Sequence, residues 1–401
     1  MTISRIGTGR LAVVTGLLFS VGAVMVDFSL PALPGIQREI GISDWHAELI
    51  LILVFLGLAV SQLLYGAIAD KHGRRRALLI GMAVYCAASL CAAFSPTIIA
   101  FAAARFAQAL GYGVVVVLSR SAVADVCDER GTARVFSTAI TIMAVASVVA
   151  PAAGGQLVEH FGWRSVFLGM SIFGFASLVV TALLLPETLP RERRSSVGLS
   201  KVFGAYAGLL RNGRFVAAAA VCGGAVAYQF TYNTGAPALV IDHYGISPAT
   251  AGALFSLIAL STAVTSQVNA VILKWFAPEQ IMMCAIVVSV IASGALLLCV
   301  FTSLGGVAGV IASLFILIAT LGFIAGNAMA AAIAPAGAQA GAASALVGVA
   351  QFAFGTCGSA LLGLFRDPSG RVMAVVIGLL SLMTLAVALR TKAPQPRVAT
   401  V

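Results

Sequence analysis

The sequence predicts an all-α polytopic membrane protein, with twelve transmembrane helices in two parallel-repeat six-helix bundles. Three observations carry that expectation. Of the 401 residues, 60% are hydrophobic and only 9% are charged. A soluble domain carries roughly 25% charged residues, so water is not the solvent for most of this surface. Charge-free apolar runs of about 18 residues or more recur along the whole chain, each long enough to cross a bilayer as a helix. A short pattern also repeats at an offset of about 205 residues, which divides the chain into two similar halves. A transmembrane barrel is excluded, because barrels alternate over short segments and lack continuous apolar runs.

In chain order the runs place spans at 11–32, 47–69, 77–95, 97–121, 133–157, 164–185, 213–236, 248–272, 279–301, 305–330, 340–365 and 371–391. The first follows Arg5 and Arg10 and so imitates a secretory signal. It is long, however, and no small-residue cleavage site precedes Asp27, so it is expected to be a retained helix. Most links are short. The exception is 186–212, which opens P-E-T-L-P-R-E-R-R-S-S and is polar and basic. It separates an N-terminal bundle (1–185) from a C-terminal bundle (213–401). The seven cysteines are scattered through apolar segments without a C-x-x-C, and read as small hydrophobes rather than a disulfide frame or metal site.

Lysine and arginine placement sets the orientation. With the N-terminus in the cytoplasm, nineteen of the 24 basic residues fall on the inside. Only Arg38, Arg164, Arg366 and Arg371 fall outside, and Arg105 lies within a span. The net charge of +10 therefore expresses membrane orientation, not nucleic-acid binding. The repeat pairs P-A-L-P-G-I-Q-R-E-I-G-I-S (31–43) with P-A-L-V-I-D-H-Y-G-I-S (237–247), and A-V-S-Q (59–62) with A-V-T-S-Q (263–267). Both copies follow an odd-numbered span outward, so the halves are parallel, the plan of many secondary transporters.

The loop after the second span reads G-A-I-A-D-K-H-G-R-R-R (66–76). Gly66 permits close helix contact, Gly73 permits a turn with positive φ, and Asp70 can pair with guanidinium groups or sit at a helix N-terminus. Such a cluster can latch two bundles in one state and release them in another. The stretch resembles the G-x-x-x-D-(R/K)-x-G-R-(R/K) signature of the major facilitator superfamily at Gly66, Asp70, Lys71, Gly73, Arg74 and Arg75. A-R-F-A-Q-A-L-G-Y-G (104–113) resembles that superfamily's fourth-helix motif, with Arg105, Gln108, Gly111 and Gly113. A-P-A-A-G-G-Q-L (150–157) resembles its fifth-helix antiporter motif at Pro151, Gly154 and Gly155, with Ala150 where the general pattern has Gly. D-F-S-L-P-A-L-P (27–34) resembles the first-helix pattern of the Bcr/CflA drug-resistance branch. The resemblance implies the twelve-helix major facilitator fold, no cofactor beyond protons as coupling ion, a monomer, and a bacterial inner membrane with both termini cytoplasmic.

Asp27 is the one acid far from the end of any span. A carboxylate near mid-membrane costs roughly 2.5–3.5 kcal/mol on insertion scales and usually faces a cavity. Asp27 lies 16 residues beyond Leu11, or about 24 Å along a helix. Arg105 lies 9 residues beyond Pro96, or about 13 Å from the opposite face. Both therefore occupy the outer half, at depths that allow a pair or a shared cavity. Desolvation and a neighbouring cation act on such a carboxyl in opposite senses, which makes Asp27 the proton-carrier candidate with Arg105 beside it. A static structural pair is the alternative. In the seventh span Y-Q-F-T-Y-N (228–233), Tyr228, Gln229, Tyr232 and Asn233 are expected to line the cavity wall, with Asn233 at the repeat position of Asp27; the alternative is that they make only helix–helix hydrogen bonds. Gln108 is expected to join them, and Gln62, Gln267 and Gln351 face either the cavity or a neighbour.

These features point to proton-coupled efflux of small amphipathic compounds by alternating access. A proton-coupled metabolite symporter or a specific exporter of an amino acid or sugar remains open. A membrane enzyme is not expected, since His46, His72, His160 and His243 lie on separate loops without ligand spacing, and no phosphate-binding G-x-x-x-x-G-K-(S/T) occurs. The expected partners are a small-molecule substrate and the lipid bilayer.

Overall fold

The structure of the protein is a computed structural model describing residues 7–40, 50, 53–61, 65, 71, 73–127, 129–189, 199–365 and 367–391. All regular elements among them are helical. α1 (Thr8–Asp27) ends where Pro31 and Pro34 withhold the N–H groups that a continuing helix needs. A 3₁₀ turn at Leu30–Ala32 joins it to α2 (Leu33–Ile40). The expected first span thus ends earlier, at Asp27, with a short second helix beyond it. Glu39 of α2 accepts a 2.7 Å bond from Trp163 Nε1 and pairs with Arg164, pinning α2 to the far end of the bundle.

Residues 53–61 are helical within the expected second span, whose remainder lies largely outside the described residues. The first half is completed by α3 (Arg74–Ala93), α4 (Ile98–Val126), α5 (Glu129–Phe161) and α6 (Arg164–Leu184). α7 (Leu199–Leu210) is a helix inside the stretch read as a basic linker. Its sequence, L-S-K-V-F-G-A-Y-A-G-L-L, is far more apolar than the charged residues before it, and Tyr206 and Leu209 are buried.

The second half holds α8 (Gly213–Pro237), α9 (Pro248–Ile272), α10 (Pro278–Thr302), α11 (Gly306–Ala319), α12 (Leu321–Ile333), α13 (Ala340–Phe365) and α14 (Arg371–Thr391). α8 loosens after Pro237 into a π-helical segment at Ala238–His243, with Tyr244 N donating to Leu239 O at 3.1 Å. The tenth span is two helices rather than one, broken at Thr320. The Thr320 hydroxyl turns to the Leu317 carbonyl (2.6 Å) and to Tyr228 Oη (2.8 Å), competing with the backbone ladder. Eleven helices among the described residues are long and apolar enough to cross a membrane.

Packing repeats between the halves. α1 packs on α5, and α3 on α4 and α6; correspondingly α8 packs on α13, and α10 on α11 and α14. This is the offset of the sequence repeat realised in contacts. Each half has its own apolar core. The cores touch where Leu30 enters the second and Phe230 the first. Because the spans alternate in direction, Arg10, Arg74, Arg214, Lys274 and Arg390 gather at one end of the molecule, called here the basic face. Large apolar side chains such as Ile99, Ile172, Leu183 and Ile291 point outward along the length of the helices, as hydrocarbon solvent requires.

Candidate functional site

Between the halves lies a cavity of about 140 Å³. One wall is a single stripe of α5, formed by Ile140, Met143, Ala144, Ser147 and Pro151, at the spacing that keeps side chains on one helix face. The opposite wall is a stripe of α9, running from Phe255 through Ile258, Thr262 and Ser266 to Gln267. Asp27, at the end of α1, and Gln229, Tyr232 and Asn233, at i, i+3 and i+4 on α8, close the remaining sides. The Asp27 carboxylate accepts a hydrogen bond from the Ser147 hydroxyl. It is the only charged side chain in the described wall, so a carboxylate, amides and hydroxyls converge in an otherwise apolar chamber.

The cavity is sealed at the end away from the basic face. There Pro151 breaks the α5 hydrogen-bond ladder, and the N–H of the next residue, Ala152, donates across the interface to Ser256 Oγ at 3.0 Å. Eight residues on, Glu159 Oε2 accepts from Ala249 N at 2.9 Å, at the first turn of α9. Gly155 lets the two backbones meet, since a methyl group there would overlap the Pro248 carbonyl; Gly252 answers it against the Pro151 carbonyl. Gly154 packs likewise on the Phe28 carbonyl. Pro151, Gly154 and Gly155 thus form one side of a glycine-packed closure. From Pro151 to Ile140 the cavity wall descends 11 residues, about 16 Å, toward the basic face. A stack of Phe55, Phe230 and Phe352 adds a second contact between halves, with 4.1 Å between the first two ring centroids at 9°.

Arg105 does not reach Asp27, which corrects the expected pair. The Arg105 guanidinium is 3% exposed and donates to Gln108 Oε1 at 2.5 Å. It also lies 5.4 Å from the Phe167 ring centroid. Gln108 is itself fully buried and donates to Ser89 Oγ at 2.6 Å. It packs between α3, α4 and α6, not in the cavity. Depth along the membrane is similar for Asp27 and Arg105; rotation about the helix axis separates them. Gly111, which meets Gly81 and Tyr85 of α3, lies on the same α4 face. The R-x-x-Q-x-x-G spacing was therefore the available signal that Arg105 faces its own bundle. Tyr228 is a second correction: it is buried against Thr320 and leaves the cavity wall to its neighbour Gln229.

Of the three glutamines left open, Gln267 lines the cavity, while Gln351 donates to Cys222 Sγ at 3.1 Å; Gln62 lies outside the described residues. Reading the sequence missed Ser147, Thr262 and Ser266, whose positions on the α5 and α9 stripes were legible as polar residues at 3.6-residue spacing. In the basic-face motif, Gly66 and Asp70 lie outside the described residues and Lys71 is exposed. Gly73 adopts φ 95°, the conformation expected of it, and starts α3. Arg74 pairs with Asp125 at 3.2 Å and its N–H donates to Glu187 Oε1 at 2.9 Å. Arg75 donates to the Ala182 carbonyl at 2.6 Å. These contacts tie α3 to the ends of α4 and α6 within the first half.

Two pseudo-equivalent helical bundles with a polar cavity between them define a secondary active transporter. The chain belongs to the Major Facilitator Superfamily, whose profile matches residues 15–363. It is 34% identical over 385 residues to the uncharacterised MFS-type transporter YdgK of Bacillus subtilis, covering 94% of this chain and 95% of that one. It is 27% identical over 384 residues to the multidrug resistance protein MdtL of Shewanella oneidensis, covering 93% and 94%. Its fold is similar to that of the xylose transporter XylE from E. coli, with a TM-score of 0.75 at 13% identity over 98% of this chain and 99% of that one.

Proposed function

We propose that the protein is a proton-coupled antiporter that exports small amphipathic compounds, in the manner of the Bcr/CflA drug-resistance branch, across a bacterial inner membrane. The basic face is read as cytoplasmic, since basic residues collect on the inside of membrane proteins. One observation carries the reading: a single carboxylate, Asp27, is the only charge in the described wall of the cavity between the halves. A carboxylate there meets whichever compartment the cavity opens to. Loaded with a proton from outside, Asp27 is neutral as the halves rock; in the cytoplasm-facing state it yields that proton and its charge becomes available to substrate. Gln229, Asn233, Thr262 and Gln267 supply hydrogen bonds, while Met143, Phe255 and Ile258 supply apolar contact. The named activity of the MdtL relatives supports export and a broad substrate range.

The test is transport in inside-out membrane vesicles with an imposed pH gradient. Asp27→Asn is expected to abolish gradient-driven substrate movement while the purified protein keeps its helical content and elution volume. Undiminished gradient-driven transport by the folded variant would reject Asp27 as the carrier.

A further inference from the structure

The α5 stripe beside Asp27 offers that residue two kinds of hydrogen-bond partner. Ser147 donates its hydroxyl to the Asp27 carboxylate. Helical serines elsewhere in the chain, such as Ser20, Ser61, Ser89 and Ser177, turn the hydroxyl back to the carbonyl four residues earlier. Ser147 instead gives its hydroxyl to a neighbouring helix. One turn further along the same cavity stripe stands Pro151. Proline has no N–H, so the backbone carbonyl of Ser147 loses its helical donor. The next N–H, that of Ala152, is engaged by Ser256 Oγ at 3.0 Å. One residue therefore presents a hydroxyl donor and a carbonyl acceptor that the helix does not satisfy.

The path of the chain lays the carboxyl along both groups. The Phe28 carbonyl rests on Gly154, while the preceding side chain, Asp27, reaches back to Ser147. Asp27 thus runs beside the α5 turn that Pro151 opens. The other ionisable groups nearby leave it to α5. Tyr232 of α8 shares the cavity wall. From α4, Tyr112 lies against Gly22, and Arg105 is held by Gln108. On α5 itself the ionisable residues stand toward the two ends, α9 has none, and α6 has only Arg164, which pairs with Glu39.

We propose that Ser147 is a positioning residue that holds Asp27 in both of its protonation states. Its hydroxyl donates to the ionised carboxylate, and its backbone carbonyl, released by Pro151, accepts from the protonated carboxyl. This rests on the reading of Asp27 as the proton carrier. The proton arrives from water on one side and returns to water on the other, and Ser147 keeps its own hydrogen throughout. A buried carboxyl proton without an acceptor is an unsatisfied donor, and that penalty would oppose loading. With a partner for each state, Asp27 loads and unloads without leaving α5. Pro151 then serves the loaded state as well as the seal.

The experiment reads the Asp27 carboxyl directly, by infrared difference spectroscopy of the full chain in lipid bilayers as pH is stepped. The carbonyl-stretch band of the protonated acid is assigned by its loss in Asp27→Asn. Ser147→Ala removes a donor to the charged form and should move the titration midpoint up by about 1 pH unit. Ser147→Thr keeps the hydroxyl and should stay at the wild-type midpoint. Pro151→Ala returns an N–H to the Ser147 carbonyl and should move the midpoint down by about 1 pH unit. Shifts of opposite sign are not produced by a merely structural role. An unmoved midpoint in Ser147→Ala, or shifts of the same sign in Ser147→Ala and Pro151→Ala, overturns the proposal while Asp27 stands as carrier. If Asp27→Asn removes no titrating band, the carrier reading falls with it.

Discussion

Replacing Gly155 with Ala tests the seal. The added methyl group would overlap the Pro248 carbonyl and press on Ala249 Cα, so α5 and α9 must part. Overpacking of a tight contact costs about 1–3 kcal/mol. Parting the helices also removes the 3.0 Å bond between Ala152 N and Ser256 Oγ, worth about 1 kcal/mol net. Glu159 is solvent-exposed, so water screens its bond to Ala249 N. The sealed state should therefore lose about 2–4 kcal/mol, which shifts the equilibrium toward opening at that face by roughly 30-fold to several hundred-fold. Ser256→Ala removes the hydrogen bond without the steric push and should shift it only about fivefold. The assay is electron–electron double resonance between nitroxide labels at His160→Cys and His243→Cys. Both sites are exposed at the sealed end, and the exposed Cys91, Cys284 and Cys357 are first replaced by Ser. The expected result is a new long-distance population in Gly155→Ala and a minor one in Ser256→Ala. Unchanged distances in folded Gly155→Ala protein, or equal effects of the two substitutions, would refute the seal as drawn.

Three further substitutions test side-chain placement. Tyr228→Phe should lower the unfolding temperature by removing the 2.8 Å bond to Thr320, a loss of about 1 kcal/mol, while leaving the apparent KM for transport unchanged. Asn233→Ala should raise KM with little effect on unfolding, and a reversed pattern would return Tyr228 to the cavity wall. At the loop between α13 and α14, burial pushes the Asp367 carboxyl up, but hydrogen bonds from Ser369 and from the backbone of Val372 outweigh it and hold the group below the usual carboxylate range. A carboxyl depressed on folding contributes stability that is present above its unfolded value near 4 and is lost as pH falls through the folded value. Acid unfolding of detergent-solubilised protein should therefore be shallower in Asp367→Asn, and an identical acid limb in both proteins would exclude this residue.

The sequence by itself determined where most of the spans fall, because a bilayer acts as a one-dimensional filter. Hydrocarbon demands about 20 apolar residues in succession, and that demand is met or missed locally, so runs such as 279–301 and 371–391 were legible without any partner. Prolines told less. Pro31 and Pro237 mark breaks, but the resulting 3₁₀ turn and π segment depend on which carbonyls the neighbours leave free. Tertiary structure alone decided which way each buried polar group points. Asp27 and Arg105 lie at comparable depth, yet one looks between α5 and α8 while the other is held by Gln108 and Phe167 inside its own bundle. Successive residues of a helix are 100° apart, so Tyr228 and Gln229 part company in the same way. The physical reason is that depth follows from counting residues, whereas rotation follows from packing, and packing in a membrane is settled by small contacts such as Gly111 on Tyr85 that only the assembled helices can make.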